Sequence, residues 1–338
     1  MTVEGKSLPP PRSLTLGGFI SAIAFDPRAG LFGFAAGDGK VVLAPVNAGP
    51  APVSAHRGAV LSLALHPAGG FVSGGDDGRL LHIAADETVT EIVERKGRWF
   101  ERVVTHPATG RIATALGKDI LLLGGAEPLS LGPHPSTVSD LAFSPDGSRL
   151  ACAHYGGVTV WNLQQPATPP RKLNWKGSHL YISYAPNGRY LATSMQEAAL
   201  HCRRLADSSD MQMSGYPAKV KSMAWTPDTK YLVSSGAPGF VCWPFVGKGP
   251  QGRPPIEFAG KQDEVLVTAV AGHPRDVLLA AGYADGHIEI GDVDRKKVLM
   301  LPGQLGAPVS ALCFSANGQW IAAGAEDGSA ALYELALR

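Results

Sequence analysis

This 338-residue sequence predicts an all-β fold, a single propeller of repeated four-stranded antiparallel blades, on three observations. Its 41 glycines and 27 prolines are spread along the whole chain, which implies many short strands joined by many turns. A strand–turn–strand–turn–strand frame recurs along it. The period stays near about forty residues with no helical pattern, the length of a propeller blade.

The frame is clearest between Thr137 and Asn162. A first strand runs into Ser144-Pro-Asp-Gly147, a second ends at Gly156-Gly157, and a third ends at Trp161-Asn162. The turn proline recurs at Pro27, Pro67, Pro107, Pro145, Pro186, Pro227 and Pro274, and an eighth copy carries Ala316 in that slot. Four residues before it stand Ile23, Leu63, Val103, Leu141, Ile182, Met223, Val270 and Leu312, all apolar. The adjoining column is Ala24, Ala64, Val104, Ala142, Ser183, Ala224, Ala271 and Cys313, all small or modest. An apolar column beside a small one suits an inner strand packed closely between two neighbouring sheets. The third strands end at Ala44, Ile83, Leu123, Trp161, Arg203, Trp243, Gly291 and Tyr333.

Short alternating stretches such as Pro128–Leu131 and Lys297–Leu301 supply a fourth, outer strand. The first of them, Ser13–Leu16, precedes the first copy, whereas the last copy runs to the end of the sequence. The N-terminal strand is therefore expected to join the last blade and close the ring, removing open sheet edges. The expected architecture is one closed propeller over 13–338, of eight blades with seven as the alternative, behind a Pro-rich leader at 1–12.

Composition narrows the function. Apolar residues at 45% and charged residues at 17% mark a folded chain. A balance of 30 Lys and Arg against 29 Asp and Glu argues against a dedicated nucleic-acid binder. No apolar leader and no long apolar run is present, so neither secretion nor a membrane span is expected. Cys152, Cys202, Cys242 and Cys313 are far apart and read as free thiols, with the cytoplasm as the expected setting.

These residues resemble the WD-repeat β-propeller family over nearly the whole chain. The family's motif has a histidine before the inner strand, an aspartate in the turn before the third strand, and Trp-Asp at that strand's end. His56 and His134 fit the histidine. Asp38, Asp77, Asp285 and Asp327 fit the turn aspartate, with Glu197 close by. Trp161 and Trp243 fit the tryptophan, Tyr333 nearly so, and Asp292 fits the final aspartate. No repeat holds all four elements: Ile83 follows His56 and Asp77, and Tyr155 takes the aspartate slot after His134. The buried network that the resemblance implies is thus incomplete, and apolar packing has to carry most blades. The resemblance also implies seven blades as the commoner count.

No phosphate loop, nucleophile elbow, zinc-protease helix or calcium loop is present, so no catalytic, cofactor-binding or metal-binding residue is assigned. His66, His106 and His273 precede the turn proline and read as polar turn residues bonding nearby backbone. Cys202 and Cys242 read as neighbouring buried thiols. The stretch Val246–Pro255 is the longest insertion and reads as a polar loop. One cluster is more informative. Where the inner strands of the third to sixth repeats begin stand Arg98, Trp99, Glu101, Arg102, Asp140, Tyr181, Lys219 and Lys221. The matching places in the seventh, eighth and first repeats are mostly Ala, Ser, Thr, Val and Leu. Trp, Tyr and Arg dominate interface energies. The alternative for Trp99 is packing between blades.

The expected function is a non-enzymatic scaffold that docks a protein or peptide on the channel face through this sector. The alternative is a propeller enzyme of the metal-dependent hydrolase or lactonase type. RNA association through Lys219, Lys221, Lys230 and Lys248 ranks third because of the charge balance.

Overall fold

The computed structural model describes residues 8–259 and 264–335, so the first seven residues of the predicted leader lie outside it. Strands account for every regular element described except one short 3₁₀ turn, Pro107–Thr109. Each inner strand starts at one end of the molecule and hairpins back through two more strands to an outer one. In the first sheet the order is Ile20–Asp26, Leu31–Ala36, Lys40–Pro45 and Ala51–Ser54. The second sheet repeats it with Val60–Leu65, Phe71–Gly75, Arg79–Ile83 and Val89–Glu94. All pairings are antiparallel, as the tight turns between them require.

The described strands form seven sheets, not the expected eight: six are four-stranded and one is six-stranded. The difference arises at the fourth and fifth repeats. Arg149–Asn162 and Arg171–Tyr184 are each 14 residues long, at least twice any other described strand. The first half of Arg171–Tyr184 pairs with Gly157–Val160, and its second half pairs with Tyr190–Met195. Tyr155 also pairs with Ser178, so backbone expected to separate two blades continues one ladder. The third repeat is a regular four-stranded sheet, Val103–His106, Arg111–Leu116, Asp119–Leu123 and Leu129–Leu131.

The N-terminal strand, Arg12–Thr15, lies antiparallel on Ser329–Glu334 as the outer strand of the last sheet, with Ser13 opposite Ala331. Arg12 is fastened there by hydrogen bonds from its guanidinium to the carbonyls of Pro45 (2.7 Å) and Ala48 (2.7 Å) in the first repeat.

Sheets meet face to face through apolar clusters. One holds Leu31, Ala35, Leu43, Val60, Leu63 and Phe71 between the first two sheets. Close approach is built in at Gly33, where a Cβ would stand 2.7 Å from the Phe71 ring. Gly291 makes room for the Phe240 ring in the same way. Hydroxyls near the start of inner strands add a polar stitch. Ser21 Oγ donates to Val60 O (2.6 Å), Thr268 Oγ1 to Val309 O (2.7 Å), and Ser310 Oγ in the last sheet to Ile20 O in the first (2.6 Å). These are the small residues that the sequence shows at the matching places outside the charged sector.

Candidate interaction face and its supporting network

The polar frame under the face is set by the repeat residues. His56 Nδ1 lies 2.9 Å from Asp77 Oδ1, and its Nε2 lies 2.8 Å from Ser73 Oγ. Burial pushes the imidazole below its ordinary pKa and outweighs the pull of Asp77. His56 is therefore neutral, donating from Nδ1 and accepting the Ser73 hydroxyl at Nε2. Burial alone would raise the Asp77 carboxyl, but donors from Arg57, His56 and Arg79 hold it below its ordinary value.

At the next matching histidine the partners change. His134 Nδ1 donates to Lys118 O (2.8 Å), and Nε2 accepts from Trp161 Nε1 (3.0 Å). Trp243 finds no histidine. Its Nε1 donates to the Tyr216 hydroxyl (2.6 Å), which in turn bonds Ser234. Tyr216 thus fills the histidine slot, and the signal was present: both pairs are 27 residues apart. Among the described residues Asp38 and Asp327 have no histidine partner, Asp285 meets His287 Nδ1 two residues on (2.5 Å) rather than one before the inner strand, and all three act as turn residues. Like Asp77, each accepts the N–H two residues on, from Lys40, His287 and Ser329.

The histidines before the turn proline behave as local polar residues. His66 Nδ1 accepts from Ala68 N, and His273 Nδ1 accepts from Asp276 N. His106 and His273 also reach the following turn, at Pro145 O and Gly318 O. All four cysteines are free, and burial pushes their thiols up, Cys152 and Cys313 to about 12. The insertion Val246–Pro255 is tied to the neighbouring sheet by Tyr190, which donates to Gly247 O, and is braced internally by Arg253, which donates to Val246 O.

The predicted sector divides into three parts. Trp99 is 59% exposed and does not pack between sheets; the following residue does, since Phe100 is fully buried with its N–H on Gly75 O. Beside it Arg98 is held by a bond to Leu116 O (2.8 Å), and Glu101 is exposed. The second part is a fixed set of contacts across neighbouring inner strands. Arg102 Nε donates to Ser139 O (3.2 Å) and lies 3.8 Å from Asp140 Oδ1. The Arg102 guanidinium sits 5.1 Å from the Tyr181 ring centroid. Asp140 Oδ2 accepts from Ile182 N (2.9 Å). Burial raises the Asp140 carboxyl above its ordinary value, and Arg102 only partly offsets this. The third part, Lys219 and Lys221, is exposed and lines a shallow cavity of about 270 Å³ with Leu266 and Thr268.

Two further aromatics belong to this end of the molecule. Phe19, at the entry to the first inner strand, is 46% exposed. Tyr155, 61% exposed, is hydrogen-bonded through its N–H to Ser136 in the loop leading to Asp140. Among the described residues, Phe19, Trp99 and Tyr155 are the large aromatics that stand exposed; Phe19 and Trp99 lie in connections leading to inner strands, and Tyr155 lies within Arg149–Asn162, bonded to the loop before an inner strand. The signal for Tyr155 was its place in the aspartate slot.

The described residues hold no group of three or more His, Cys, Asp or Glu arranged to take a metal ion. Comparison with known proteins bears on the repeat itself. The pattern described as WD domain, G-beta repeat matches residues 51–82, 126–162, 209–242 and 295–334. Four stretches of this chain are thus WD repeats. It is similar to THO complex subunit 3 of Arabidopsis thaliana, 22% identical over 205 residues, covering 60% of this chain and 63% of that protein. It is also similar to Pre-mRNA-processing factor 19 homolog 2 of the same plant, 30% identical over 117 residues, covering 34% of this chain and 22% of that protein. Protein hir-1 of Neurospora crassa is 30% identical over 125 residues, covering 28% and 12%. The WD-repeat chain spans less than two thirds of each of these relatives.

Proposed function

We propose that this WD-repeat protein is a non-catalytic scaffold that docks a protein or peptide on the end of its sheets where Trp99 stands. The observation that carries the reading is the exposed Trp99 beside the held Arg102–Asp140–Tyr181 set. An exposed indole gains most from burial against a partner, and charges already fixed by neighbours lose little side-chain entropy on binding. Phe19 and Tyr155 extend the apolar surface, and Arg98, Lys219 and Lys221 give it a basic edge suited to a partner with acidic residues. In this reading the sheets form a closed ring from residue 13 onward, in a reducing compartment where the four thiols stay free. Two relatives bear names placing them in the THO complex and in pre-mRNA processing, which supports membership of a multiprotein assembly.

A photoreactive benzoylphenylalanine at position 99 tests this. The proposal expects it to crosslink a defined protein in cells, while the same residue at the exposed apolar positions 246 and 298 does not. Silence at position 99 with capture at position 246 would move the interface to the other end.

A further inference from the structure

A second site lies at the opposite end of the strands, independent of the face around Trp99. The connection from Asn162 to Arg171 borders a cavity of about 330 Å³ lined by Arg149, Asn162, Thr168, Arg171 and Tyr184. Tyr184 is only 8% exposed, and its hydroxyl is buried without a hydrogen-bond partner among the described residues. Buried hydroxyls are ordinarily paired, so an orphan donor at a cavity wall points to an acceptor brought from outside. Burial pushes the Tyr184 phenol well up, and the charges of Arg149 and Arg171 pull it back, while Asp146 adds to the rise. The group is thus a neutral O–H donor within the field of two guanidiniums.

The remaining lining is rich in unspent donors. Asn162 Oδ1 accepts from Gln164 N, which leaves its amide N–H groups to face a ligand. Arg171 gives one Nη2 hydrogen bond to Ser208 Oγ and keeps further N–H groups. Thr168 Oγ1 already donates to Gln165 O, so it does not add a donor. The nearby Asp146 carboxylate is occupied by Ser144 and Ser148. Two guanidinium charges exceed the single negative charge of a carboxylate. They match the three terminal oxygens and near-double charge of a phosphate monoester. Val160 and Leu173, both buried in the wall, suit the organic arm that carries such a group.

We infer that this cavity binds a phosphate monoester, with Arg149 and Arg171 as the charge partners and Tyr184 as the buried donor.

Calorimetric titration of the full chain tests the inference with four probes: inorganic phosphate, a short phosphoserine peptide, its unphosphorylated form and its glutamate form. The expected result is phosphate-dependent binding, weakened about tenfold or more in Arg149→Gln/Arg171→Gln, as loss of charged hydrogen bonds implies. Tyr184→Phe keeps the ring and the fold, and it should also bind more weakly. Equal affinity for phosphate and phosphopeptide assigns the site to a small phosphorylated compound, and tighter peptide binding assigns it to a modified partner side chain. Either supports the inference. It is overturned if no phosphate probe binds, if the glutamate peptide binds as tightly as the phosphopeptide, or if both variants bind as wild type does.

Discussion

Replacing Gly33 by alanine probes the sheet-to-sheet contact on which the whole architecture depends. The backbone there is an ordinary strand between Phe32 and Phe34, outside the left-handed region. On propensity alone the change should stabilise by about 0.4–1 kcal/mol, by restricting the unfolded chain. Packing says the reverse. The new Cβ would stand 2.7, 2.9 and 2.9 Å from three carbons of the fully buried Phe71 ring. Relaxed carbon contacts lie at about 3.5–4.0 Å, so the ring must retreat by about 1 Å into a filled core. Such overpacking costs about 1–3 kcal/mol. Taking the middle of each range, the net loss is about 1.3 kcal/mol, or roughly 2 °C in Tm for a chain of this size. Calorimetry on Gly33→Ala, Phe71→Leu and the double variant measures both the loss and the coupling. The smaller leucine should absorb much of the alanine penalty. A Gly33→Ala protein as stable as wild type, or strictly additive effects, would refute the packing argument.

Further outcomes follow from the polar network and the face. Trp161→Phe leaves His134 Nε2 without its buried donor and should cost about 1–3 kcal/mol by urea unfolding. Acid should also destabilise the fold above the carboxylate range. Burial holds His56, His66, His134, His179, His201 and His273 below their ordinary value, His66 and His201 at about 4. Below about pH 6.5 the unfolded chain takes up protons that these residues refuse in the fold, so stability falls as pH drops from about 6.5 to about 4. Asp140, raised by burial, acts in the opposite sense as a single group. A urea midpoint unchanged between about pH 7.5 and 5 would contradict this. Trp99→Ala should leave Tm almost unchanged, within about 0.5 kcal/mol, because the side chain is mostly exposed. A large drop in Tm would show that the indole is structural.

The repeat was legible because sterics write it in every copy. The turn proline with its polar neighbour, the apolar inner column and the small residues at sheet contacts all recur, and Gly291 and the hydroxyls of Ser21 and Ser310 proved to be such contact residues. The expected separation of the fourth and fifth repeats failed for a local reason. Tyr155 stands where an aspartate would cap the turn, and its backbone instead pairs with Ser178. Tyr216 was missed because the search was for histidine, although a hydroxyl at the same 27-residue distance serves the same indole N–H. At the face, the sequence marked Trp99 and Arg102 but could not say which of Trp99 and Phe100 turns inward. That choice rests on the space left at Gly74, which Phe100 fills. The cavity under Tyr184 joins residues from the two long strands and the connections beside them, and no linear pattern marks it.

The most direct test of the docking face is affinity capture from native lysate, comparing wild type with a Trp99→Ala/Arg102→Ala protein whose folding has been verified. The account predicts that at least one abundant partner bound by wild type is lost from the double variant, while Val246→Ser, at the other end, retains it. Identical partners for wild type and the double variant would contradict the claim that this face does the binding.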